Sequence, residues 1–252
     1  MTAVGSKNET VSLTDLANAS GSDKGTSGHP SPHHYTRIYD MLLQPHRHSL
    51  TNMLEIGLMA GGPEVGGDVD RVVRTAPSVD MWLKFFPEAQ VRGFDISDFS
   101  WVEHPRFTFV RGDSGAASDL EKAAALGPFD LIIDDGSHAS FHQQLAFKVL
   151  FPKLRPGGLY IIEDLQWQSP YYEDQLPTTH KTSDVIDNWF KPANCLSSRR
   201  RSWVGCKSLA QTSRSRPCST SLSHTGPSIR RWRSSTKAWT RRTETPLAGR
   251  EL

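Results

Sequence analysis

The feature that most restricts the fold is a repeated unit. A short apolar run ends on an acidic residue or a glycine, and a stretch of helical character follows. Met53–Leu54–Glu55–Ile56 runs into Gly57, and Gln90–Phe94 runs into Asp95. Arg106–Val110 is followed by Gly112 and Asp113, and Phe129–Ile133 closes on Asp134 and Asp135. Leu159–Ile162, which leaves a Pro156–Gly157–Gly158 turn, closes on Glu163 and Asp164. Between these runs lie a helix end at Met81–Phe86 stopped by Pro87, a helix over Ser118–Leu126 ended by Gly127–Pro128, and a helix from about Phe141 to Leu150. Parallel neighbours need long crossovers, which helices usually supply. The expected fold is therefore α/β, a doubly wound and mostly parallel sheet. Ligands of such sheets bind beyond the carboxyl ends of the strands, which is where the acidic residues collect.

Charge divides the 252 residues into unlike pieces. Residues 1–194 hold 16 basic and 25 acidic groups; residues 195–252 hold 13 basic and 2 acidic groups, and all three cysteines. Three cysteines exclude a paired disulfide framework. No run approaches the roughly eighteen apolar residues of a membrane helix. Met1–Ser20 is polar, without the apolar stretch of a secretory leader, so a cytoplasmic location is expected. We read residues 1–50 as a cap or lid containing an amphipathic segment, Tyr35–Leu43, residues 51–190 as the core, and residues 191–252 as a basic tail rich in Ser and Arg.

The motifs narrow the family. The chain carries Gly21–Ser22–Asp23–Lys24–Gly25, His34–Tyr35 with Tyr39, and Leu54–Glu55–Ile56–Gly57. Phe85–Phe86–Pro87–Glu88–Ala89, Ile133–Asp134–Asp135–Gly136–Ser137–His138 and Leu154–Asp164 follow in that order. Over about residues 14–175 this series resembles the macrocin/mycinamicin-type sugar O-methyltransferases. The resemblance implies a Rossmann-like class I methyltransferase fold, S-adenosylmethionine, a divalent cation (normally Mg2+) and a sugar hydroxyl as acceptor. It places Glu55, Gly57, Asp95, Asp113, Asp134, Asp23 and Tyr35 around the cofactor. It makes Asp135, Glu163 and Asp164 the metal ligands and His138 the general base.

Physical chemistry supports the metal assignment. Three carboxylates in one small volume repel one another unless protons or a cation neutralise them, and hard oxygen ligands favour Mg2+, Mn2+ or Ca2+. A metal-bound hydroxyl loses its proton more readily, and histidine titrates in the right range to take it. Trp167, Tyr171 and Tyr172 offer a stacking face for a sugar. The resemblance also marks Ser78–Trp82 as a helix start touching the cofactor, although Val79–Asp80 departs from the leucine and basic residue usual there. The expected partner is a small glycosylated substrate; a homo-oligomer stays open.

Two rival readings come from the same residues. Asp135, His138 and His142 match a two-histidine, one-carboxylate iron site of a hydroxylase. The basic tail, with Trp203, Trp232 and Trp239, could bind nucleic acid or another anionic surface, although the acidic core argues against it. Class I methyltransferases normally end on an antiparallel strand pair. No alternating apolar run follows Thr182–Phe190, so that pair is expected to be missing and the tail to be disordered. Its abrupt change of composition reads as translation out of frame from about residue 195.

Overall fold

A computed structural model describes residues 11–189 and 237–240. Its centre is a parallel sheet of five strands: β1 (Asn52–Ile56), β2 (Gln90–Asp95), β3 (Phe107–Arg111), β4 (Phe129–Asp134) and β5 (Leu154–Ile162). Helices α1 (Leu13–Ser20), α2 (Thr36–Leu43), α3 (Pro77–Phe85), α4 (Ala117–Ala124), α5 (Ser140–Leu150), α6 (Pro170–Glu173) and α7 (Thr182–Trp189) accompany it. A sixth strand, β6 (Lys237–Thr240), completes the order β3-β2-β1-β4-β5-β6.

Two cores follow from the period-two alternation of strand side chains. Met53, Leu131, Ile133 and Ile161 pack with Leu13 of α1, Tyr39 of α2 and Trp82 and Phe85 of α3. Leu54, Ile132, Tyr160 and Ile162 pack with Leu120 of α4, Leu150 of α5 and Ile186 of α7. Strands covered on both faces read as nearly continuous apolar runs, as β1 and β4 do. Each fully buried Leu, Ile or Phe contributes about 1.5–3 kcal/mol.

Register positions the site. Ile56 lies opposite both Phe94 and Asp134, and Asp134 lies opposite Ile162. The four strands β2, β1, β4 and β5 therefore finish level, and the chain leaves all four at one edge. The order reverses between β1 and β4, opening a crevice there.

The structure revises two details. β5 begins at Leu154, so the Pro156–Gly157–Gly158 turn lies inside the strand, where the register with β4 shifts and Gly157 takes a φ of 84°. Such an irregularity keeps a strand paired while looking like a turn in sequence. At the other end, β6 pairs antiparallel with Leu159–Ile162. The tail thus contributes one strand to the sheet. No second strand of a pair occurs among the described residues, and the change of composition near residue 195 lies outside them.

Candidate active site

β1 ends on Gly57, whose φ of 79° belongs to the left-handed region that favours glycine. A Cβ there would sit 2.0 Å from the Asp135 carbonyl oxygen. Only glycine lets the turn after β1 meet the turn after β4 this closely. The loop beyond is braced by its own side chains: Leu58 N–H donates to Asp95 Oδ2 at 2.8 Å, and Gly61 and Gly62 N–H donate to Glu64 Oε1 at 2.6 and 2.9 Å. Arg71 donates to the carbonyls of Met59 and Ala60.

A cavity of about 220 Å³ opens over this edge. Asp23, Gly57, Asp95, Asp113, Asp135, His138 and Asp164 line it, with Pro77 and Ser78 at the start of α3. Glu55, Asp134, Tyr35 and Glu163 are buried and do not line it. Glu55 accepts from Ser78 Oγ at 2.8 Å, and Asp134 accepts from Gly136 N–H at 3.5 Å. Val79 is packed in the core and Asp80 pairs with Lys84 on the surface, so this helix start meets the cavity only through Pro77 and Ser78.

The carboxylates converge on a residue that sequence reasoning passed over. Lys24, 1 % exposed, holds its Nζ 3.1 Å from Glu163 Oε1 and 3.7 Å from Glu55 Oε1, and it donates to Asp135 Oδ2. Burial alone would lower the Lys24 pKa, yet Asp135, Glu163, Asp23 and Glu55 hold it well above the ordinary value. The acids still outnumber it. Burial pushes the Glu55 carboxyl up to about 7 despite Lys24. Burial and then repulsion from Asp135 push Glu163 well up, and burial raises Asp135 against the pull of Lys24 and His138. Burial likewise raises Asp134 to about 7.

This imbalance favours a cation. Asp135, His138 and Asp164 each offer one ligand atom, all within 4.8 Å of one another. Glu163 Oε2 is buried and has no hydrogen-bond partner among the described residues. Oxygen donors of this kind suit a hard divalent ion, so the residues fit one. His142 does not join them. It is buried, its Nδ1 lies 2.6 Å from Ser137 Oγ, and its ring meets Tyr172 edge-on at 4.9 Å. The rival two-histidine iron set is therefore not assembled: His142, on α5 four residues after His138, points into different packing.

Strain marks the same place. His138 and Asp164 have φ values of 59° and 50°, two of three non-glycine residues in the left-handed region among those described. Such conformations cost about 1–3 kcal/mol and persist where the surroundings over-determine them. His138 Nε2 lies 3.9 Å from Asp164 Oδ2, and Trp167 meets the His138 ring edge-on at 5.3 Å. His33 Nδ1, also unforeseen, lies 3.9 Å from the same Asp164 oxygen. The signal for Lys24 was the acid excess itself: so many buried carboxylates require an internal counter-charge.

No family model matches the chain. It is 42% identical over 137 residues to the mycinamicin VI 2''-O-methyltransferase of Micromonospora griseorubida, covering 53% of this chain and 32% of that one. It is 39% identical over 185 residues to the 8-demethyl-8-alpha-L-rhamnosyl tetracenomycin-C 2'-O-methyltransferase of Streptomyces olivaceus (69% and 45%). It is 44% identical over 139 residues to the demethylmacrocin O-methyltransferase of Streptomyces fradiae (54% and 32%). The chain thus spans 32–45% of the length of these relatives. Among solved structures, the MycE methyltransferase of the mycinamycin biosynthetic pathway, in complex with Mg, SAH and mycinamycin VI, superposes with a TM-score of 0.53. That match has 36% identity and covers 63% of this chain and 38% of that one. Over the matched part, with its parallel sheet and glycine turn, the chain is a homologue of the macrocin/mycinamicin-type sugar O-methyltransferases and has their class I fold.

Proposed function

We propose that this chain carries out divalent-cation-dependent transfer of a methyl group from S-adenosylmethionine to a sugar hydroxyl of a glycosylated small molecule. One observation carries the reading: a single cavity joins the Gly57 turn and Asp95 to the cluster of Asp135, His138 and Asp164. The named activities of the homologues support it.

The cofactor's place is the Gly57–Gly62 loop with Asp95 and Asp113. Both Asp95 oxygens already accept main-chain N–H groups, which orients the carboxylate while leaving lone pairs for ribose hydroxyls. Asp23 approaches from the N-terminal segment. There Lys24, His33 and His29 hold its carboxyl below the ordinary value against the opposing effect of burial. Glu55 and Asp134 act behind the wall, through Ser78 and the Gly136 turn.

Asp135, Asp164 and Glu163 are the residues that would hold magnesium. The ion supplies a positive charge that makes the acceptor hydroxyl more acidic. His138 takes the hydroxyl proton. S-adenosylmethionine held beside Gly57 and Asp95 would supply the sulfonium-activated methyl group that the deprotonated hydroxyl takes up, with S-adenosylhomocysteine as the leaving product. Trp167 beside His138 and the exposed Tyr171 offer aromatic surface to the sugar.

The test combines the purified chain, methyl-labelled S-adenosylmethionine, Mg2+ and a panel including mycinamicin VI and rhamnosylated tetracenomycins. Label should reach the sugar and be abolished by EDTA or by Asp135→Asn, with S-adenosylhomocysteine still bound by Asp135→Asn. Transfer indifferent to EDTA would remove the cation from the reading. Failure to bind S-adenosylhomocysteine would remove the methyltransferase.

A further inference from the structure

Three side chains from the N-terminal segment reach the three carboxylates assigned to the cation. Lys24 donates to Asp135 Oδ2, Tyr35 Oη donates to Asp164 Oδ1, and Tyr39 Oη donates to Glu163 Oε1. All three are almost fully buried: Lys24 is 1 % exposed, Tyr35 6 % and Tyr39 0 %. Each contact bridges more than a hundred residues of sequence. On two of the carboxylates the division of labour between oxygens is explicit. Tyr35 and Gln166 occupy Asp164 Oδ1, while Oδ2 faces His138 at 3.9 Å. Tyr39 and Lys24 occupy Glu163 Oε1, while Oε2 has no hydrogen-bond partner among the described residues.

We propose that residues 21–43 form the outer shell of the metal centre: Lys24, Tyr35 and Tyr39 each hold one oxygen of a carboxylate so that the other can meet the cation. They are positioning residues. Outer-shell partners fix ligand orientation, and their loss typically weakens metal affinity about 10–100-fold. Two further consequences follow from the geometry. Because the donors and the ligands belong to distant parts of the chain, docking of α2 and binding of the ion are thermodynamically linked. By reciprocity, the ion must tighten the docking as much as the docking tightens the ion. Gly57 and Asp95, on the cofactor side, take no part in these three hydrogen bonds, and Tyr39 does not line the cavity, so its loss should leave that side undisturbed.

The inference rests on the cation in the proposed function, and the experiment separates the two. Mn2+ binding to the full chain is titrated by electron paramagnetic resonance, and S-adenosylhomocysteine binding by calorimetry, for the wild type, Tyr35→Phe, Tyr39→Phe and Lys24→Met. The expected result is a Mn2+ affinity lowered about 10–100-fold in each variant, with S-adenosylhomocysteine affinity within about twofold of wild type in Tyr39→Phe. The tyrosine variants lose one oxygen each, so they keep the inference testable if Lys24→Met fails to fold. Hydrogen exchange of Thr36–Leu43 should slow when Mn2+ is added to the wild type. Wild-type Mn2+ affinity in both phenylalanine variants, or exchange in that helix indifferent to Mn2+, would overturn the outer-shell role alone. A wild type that binds no Mn2+ would overturn the cation, and this inference with it.

Discussion

His138 combines three properties that rarely coincide: a left-handed backbone, a place on the cavity wall, and an Nε2 3.9 Å from a neighbouring carboxylate. If it removes the acceptor proton, His138→Ala should lower turnover about 10²–10⁴-fold. S-adenosylhomocysteine affinity, read by calorimetry, should be unchanged, because the proposed cofactor contacts run through Gly57, Asp95 and Asp113 rather than His138. Unchanged turnover would return His138 to a packing role against Trp167. At this scale the sequence was most legible where chemistry and backbone demand the same residue. Gly57, Asp95, Asp135, His138 and Asp164, which the family resemblance singled out, all line one cavity. Lys24 and His33 were not, because a lysine or histidine in a polar segment reads as solvated, and only the folded chain shows what faces it.

Among the elements, the strands and their crossovers were readable because burial on both faces leaves a strong apolar signature. The N-terminal helices were less so. α1 is short, and only its caps announce it: Ser12 Oγ accepts from Asp15 N–H at 3.1 Å, and Gly21 closes it with a φ of 75°. That helix packs against α3 through Leu13 and Ala17 in the first core. Ser12→Ala should therefore cost about 0.5–2 kcal/mol, measured as a lower urea midpoint with an unchanged slope. A midpoint equal to wild type would show that tertiary packing alone holds α1. β5 illustrates the opposite error. Its Pro and two Gly read as a turn, yet a locally shifted register lets the strand continue through them.

For the molecule as a whole, the buried acids make stability depend on pH in a direction opposite to that of ordinary salt-bridged carboxylates. Glu55 and Asp134 sit at about 7 in the fold, above their ordinary values of 4.5 and 3.8. The folded state therefore binds more protons than the unfolded state between those values and about 7. The stability these two groups contribute is full below the ordinary values and is lost as pH rises through 7. Thermal unfolding without metal should show a Tm that falls between pH 5 and pH 8. Mg2+ should raise Tm more at pH 8 than at pH 5, since ligands must be ionised to bind it. A metal-induced shift larger at pH 5 would contradict the assignment. No helix among the described residues is long and apolar enough to cross a membrane.

The cavity is assembled from stretches as far apart as Gly21 and Tyr172, and no short stretch of the chain contains it. Ligand recognition is consequently a property of the finished fold rather than of any one piece. A nascent chain remains mute toward its cofactor until the turns after β1, β2 and β4 have been brought together. Once it is complete, a bound ligand at a hundred times its dissociation constant adds about 2.7 kcal/mol to the native state as a unit. Occupancy thus reports on the integrity of the fold that joins these loops.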